Sequence, residues 1–131
     1  MSAAGPTRTA VSVDLSIPVQ ADLVVLARLT AATVAGRAGF GVEDIEDLRL
    51  AVEELCLSLV GERDDGRLHL AYQCQEDAIT VRCWYEASEP GAQEAGADDL
   101  SLRILDALVD EHGRKTRDGH PSAWLSKRKA R

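Results

Sequence analysis

Two runs of alternating apolar residues constrain the fold most: Leu68, Leu70, Tyr72 and Cys74, then Ile79, Val81, Cys83 and Tyr85, with only Gln75, Glu76 and Asp77 between them and Ala78. A period of two places each set on one face of an extended strand. The connection is too short for a parallel crossover, so the runs predict an antiparallel hairpin with one apolar face. A hairpin of that kind does not stand alone in water, and another layer has to cover its apolar side.

Candidates for that layer flank the hairpin. Leu23, Leu26, Ala27, Thr30 and Val34 fall at helical spacing between about Gln20 and Arg37, and the glycines of "GRAGFG" stop the helix. Ile45, Leu48, Val52, Leu55 and Leu59 repeat at steps of three and four up to Gly61, with Asp44 as the expected cap. A third helix is predicted over about Asp98 to His112, with Leu102, Leu105, Leu108 and Val109 inward. Val11, Val13, Leu15 and Ile17 alternate as a first strand ending at Pro18, and "RDGH" suggests a turn between two final strands at about 114–117 and 122–128. The order strand, helix, helix, strand, strand, loop, helix, strand, strand predicts an α+β two-layer sandwich, its helices on one face of a mixed, mainly antiparallel sheet. Residues 1–10 read as a flexible leader, 86–97 as a mobile loop, and 11–131 as a single domain.

Residues 1–113 carry 8 Lys and Arg against 21 Asp and Glu, whereas residues 114–131 carry 7 against 1. So acidic a body repels a phosphate backbone, which argues against nucleic acid and suits a basic protein partner. Cys56, Cys74 and Cys83 form no C-x-x-C pair and, with scattered histidines, no metal-ligand spacing; they read as reduced, buried thiols. No signal peptide or membrane span is evident, which predicts a cytoplasmic protein.

The second helix, "DLRLAVEELCLSLV", places Glu53 and Glu54 in an apolar run. Glu54 and Ser58 lie one turn apart on one face, where they meet either solvent or a ligand held between sheet and helix; Glu53 is expected in solvent. This stretch, with "LARLTAATVA" before it and "LSLRILDALVDEH" after it, resembles the RsbW/SpoIIAB type of bacterial anti-sigma factor and serine-protein kinase. The resemblance spans roughly residues 11–128 and implies the Bergerat ATP-binding fold of histidine kinases.

In that family the helix carries a glutamate that acts as general base and, four residues on, an asparagine that ligates Mg²⁺. Glu54 matches the base, but Ser58 stands at the asparagine. The Asp-x-Gly-x-Gly motif is replaced by "WYEASEPG", which has no aspartate, offers Glu86 as the candidate acceptor and places Ala87 and Ser88 at the tight turn, and Asp99 and Ser101 occupy the glycine positions of Gly-x-Gly-Leu. Asp98 and Asp99 bring like charge to the expected phosphate position, although carboxylates there also serve as helix caps. The departures imply a scaffold kept for protein binding, with ATP and Mg²⁺ no longer cofactors. A working kinase that phosphorylates a STAS-type antagonist, with Glu54 as base, is the alternative.

"LARLT" matches the first-helix pattern whose arginine contacts the partners, which assigns that role to Arg28. The resemblance implies an alternative sigma factor and a STAS-domain anti-anti-sigma factor as partners, and a homodimer formed through the sheet.

Overall fold

The computed structural model describes residues 11–89 and 98–130. Five strands form one sheet in the order β1-β2-β3-β5-β4: β1 (Val11–Pro18), β2 (Arg67–Gln75), β3 (Ala78–Glu86), β4 (Glu111–Arg117) and β5 (His120–Arg128). Every pairing is antiparallel. The central hairpin pairs Leu68 with Tyr85, Leu70 with Cys83 and Tyr72 with Val81, so the two alternating runs share one face as their period requires. Three helices cover it: α1 (Val24–Arg37), entered through a short 3-10 turn, α2 (Val42–Val60) and α3 (Asp99–Leu108).

The core lies between the layers. Leu48, Val52, Leu55 and Leu59 of α2 are buried against Leu70, Tyr72, Val81 and Leu125 of the sheet. The Tyr72 hydroxyl donates to the Ala27 carbonyl at 2.8 Å, which satisfies the one polar atom this large ring brings inside. Burial raises the Tyr72 phenol and the Cys83 thiol well above their usual titration ranges. All three cysteines are buried free thiols, as the missing pair spacing suggested.

Some boundaries differ from the sequence expectation. The cap of α2 is the extended Gly41, whose carbonyl accepts from Ile45 N, and not Asp44. Asp44 instead turns to the chain's end, accepting from Ala130 N at 2.9 Å and facing Lys127 Nζ at 3.7 Å. α3 stops at Leu108, because Val109 turns extended and His112 enters β4. On α1 the inward stripe is Ala27, Ala31, Val34 and Ala35, while Leu26 is 41% exposed. Small side chains allow α1 to sit close to α2 and the sheet. Gly66, at φ +82°, opens β2 where an added Cβ would strike the Glu86 carbonyl, so only glycine suits the position. The expected leader and residues 90–97 of the expected loop lie outside the described residues.

Candidate functional site

Four of the five singled-out residues sit on α2 or at the start of α3, and Arg28 sits on α1. Ser58 is half-buried. Its hydroxyl donates to the Leu55 carbonyl at 2.8 Å and accepts from Arg114 Nη1 at 3.0 Å. Arg114 reaches it because β4 pairs Arg114 with Ala123, a buried residue of β5, so both point toward the helices. Two residues earlier His112 Nε2 meets Asp106 Oδ1 of α3 at 2.6 Å, which fixes the strand from which Arg114 extends.

Asp98 caps α3, its carboxylate accepting from Ser101 N at 2.8 Å. An amide that would face an anionic ligand at a helix start is therefore already bonded. Asp99 is exposed, and Ser101 is buried with its hydroxyl unbonded among the described residues. Replacing Asp98 by alanine should lower stability by about 1 kcal/mol, the usual worth of such a cap, as measured by urea unfolding.

Glu54 lies half-buried along a shallow depression of about 390 Å³ between α2 and α3, lined also by Leu50, Glu53, Ile104, Ala107 and Leu108. Glu86, the candidate acceptor in the altered Asp-x-Gly-x-Gly segment, is not part of the site. It alternates with inward-facing Tyr85 and bonds His69 Nε2 at 3.0 Å on the other face of the sheet, and that bond holds its carboxyl below the usual range. Trp84 shares that face, stacked on His69 at 5.3 Å between ring centroids with Arg117 over it at 4.2 Å.

Arg28 and Glu53 form an ion pair at 2.9 Å between α1 and α2, their side chains 30% and 37% exposed. Glu53 therefore does not simply face solvent, because the close packing of α1 brings the guanidinium to it. Arg28 Nε is buried and has no hydrogen-bond partner among the described residues. Near the pair, Val25 lies three residues before Arg28 on α1, and Leu50 and Leu57 lie three before and four after Glu53 on α2; all three are exposed. Arg49 pairs with Glu46 within α2 at 2.9 Å, and its Nε, like that of Arg28, is buried without a hydrogen-bond partner among the described residues.

An Mg²⁺ ion does not fit the polar side of α2. The Ser58 proton is committed to Leu55, and the oxygen receives a guanidinium where a metal needs an open lone pair. Like unit charges at 4 Å cost about 4 kcal/mol at an effective dielectric of 20, and a divalent ion doubles this. Among the described residues no group of three His, Cys, Asp or Glu side chains is placed to hold a metal. The missing signal in the sequence was Arg114, which is 56 residues from Ser58 and belongs to no local pattern.

A five-stranded antiparallel sheet under three helices, with Glu54 of α2 beside Ile104, Ala107 and Leu108 of α3, is the arrangement of the GHKL type of ATPase fold. No protein-family model matches the chain. The RsbW serine-protein kinases of Bacillus cereus strains AH187 and Q1 are each 35% identical over 119 residues, covering 76% of this chain and 74% of the relative. That of Bacillus thuringiensis subsp. konkukian strain 97-27 matches equally. The chain belongs to the RsbW family of anti-sigma factors and partner-switching serine-protein kinases. Among the described residues no helix is long and apolar enough to cross a membrane.

Proposed function

We propose that the protein is a cytoplasmic anti-sigma factor that sequesters an alternative sigma factor through the face around Arg28, and that it no longer uses ATP. A STAS-type antagonist would release the sigma factor by competing for the same face. The observation that carries this is the Arg28–Glu53 pair between α1 and α2, flanked by exposed Val25, Leu50 and Leu57. Apolar area beside a forked cation suits a partner helix bearing a carboxylate. The guanidinium on Ser58 and the cap at Asp98 support the loss of ATP use. A homodimer would use the open sheet face carrying Trp84, and the net charge of -7 disfavours nucleic acid.

The test is a pull-down from the host with mass spectrometry, followed by titration calorimetry with Mg-ATP. Recovery of a sigma factor together with no heat of nucleotide binding is expected. The working kinase is the second possibility, favoured by the half-exposed setting of Glu54 beside an open depression. Micromolar ATP binding with phosphate transfer to a STAS protein would establish it and overturn the loss of ATP use.

A further inference from the structure

We propose that Arg114 is the resident cation of the polar side of α2: its guanidinium takes the charge role of a divalent metal there and closes the position to metal ions. The inference rests on the ATP-independent function above and names the chemistry behind it.

Three observations converge on it. The first is the bond itself, Nη1 to Ser58 Oγ at 3.0 Å, made to the residue that stands at the metal-ligand position of the helix. The second is where the arginine comes from. β4 is an edge strand, and its inward side at this point faces buried Ala123, a position that an aliphatic side chain could fill. Sending a charged group inward there has a cost unless it meets an acceptor, and the serine in the last turn of α2 supplies one. The third is the anchorage on either side. His112 ties the strand to Asp106 at 2.6 Å, and Asp98 holds the first turn of α3 at 2.8 Å. The guanidinium is thus placed by two fixed elements. An arginine stays charged at any physiological pH, so the cation is permanent, whereas a bound metal exchanges.

Serine and arginine then act as one unit. A short hydroxyl leaves space that a carboxamide would fill, and the long side chain from the edge strand fills it with charge already attached.

The test introduces a metal-seeking carboxylate with and without the guanidinium. Ser58→Asp is made alone and combined with Arg114→Gln, which keeps an N–H donor near the helix while removing the charge. Mn²⁺ alone is the probe, with bound ion counted by electron paramagnetic resonance and by the shift in melting temperature. With Arg114 intact, millimolar Mn²⁺ should neither bind nor raise the melting temperature. With Arg114→Gln, binding should rise at least about tenfold and the melting temperature should increase. Binding with Arg114 intact overturns the proposal, and so does binding in neither variant, because something other than the guanidinium would then close the position. Circular dichroism checks that both fold, and the single variant carries an overturning arm by itself. Micromolar binding of Mn-ADP to the unaltered protein would overturn the ATP-independent function as well. Failure to recover a sigma factor, with the Mn²⁺ results as expected, would strike the anti-sigma function alone.

Discussion

Arg28→Glu is expected to weaken sigma-factor binding by at least about a hundredfold while lowering the melting temperature by no more than a few degrees. Truncating one member of a desolvated interfacial charge pair typically costs 2–5 kcal/mol, and reversing the sign adds repulsion. Within the free protein the same guanidinium is part of a partly exposed pair with Glu53 at 2.9 Å, worth about 0–1 kcal/mol. The asymmetry between those magnitudes separates a binding residue from a stabilising one. Arg49→Glu is the control: it alters a pair with Glu46 that lies within α2 and should leave affinity within about threefold. Fluorescence anisotropy with the recovered sigma factor reads both variants. Equal loss in the two would point to general electrostatics and not to the Arg28 face.

The second large effect concerns the scaffold. Leu55, 1% exposed and one turn from Ser58, should cost about 2–5 kcal/mol when cut to alanine, because the transfer energy is lost and a cavity remains. For a chain of 131 residues this amounts to roughly 10 °C in melting temperature. Leu57→Ala, on the same helix but 45% exposed, should change stability by less than about 0.5 kcal/mol. Calorimetric melts of the two variants test whether the α2 stripe packs in the register described.

Much of this architecture was legible in the chain because period decides it. The β2–β3 pairing follows from two alternating runs and a short turn, and α2 follows from apolar residues at steps of three and four. Element ends were harder. Asp44 has the chemistry of a cap, but Gly41 takes that place and frees the carboxylate for Ala130 N, 86 residues away. On α1 the spacing favours leucine over alanine as the inward residue, yet Leu26 is exposed and Ala31 fully buried, since close packing of two helices selects small side chains.

The candidate site was legible only where it is local. Glu54 and Ser58 could be placed on one helix from spacing, and the Asp98 cap from its position before α3. The contacts that give these residues their character are not local. Glu53 meets Arg28 from a neighbouring helix, and Ser58 meets Arg114 from the far edge of the sheet. No periodicity encodes such pairs. The basic run from Arg114 onward was visible as charge, but its members divide: Arg114 and Lys127 turn inward, whereas Arg117 lies on the open face over Trp84.

Among the described residues the strand order leaves β1 and β4 as the two borders of the sheet, each with a row of backbone groups open to pairing with another molecule. Neither border invites it. Polar Ser12, Asp14 and Ser16 alternate along β1, which stops at Pro18, and β4 carries the solvent-exposed Glu111, Lys115 and Arg117. Adding a strand there would strip water from those side chains without repaying them, so the molecule is guarded against templated stacking into fibres while its helical side stays free to recruit.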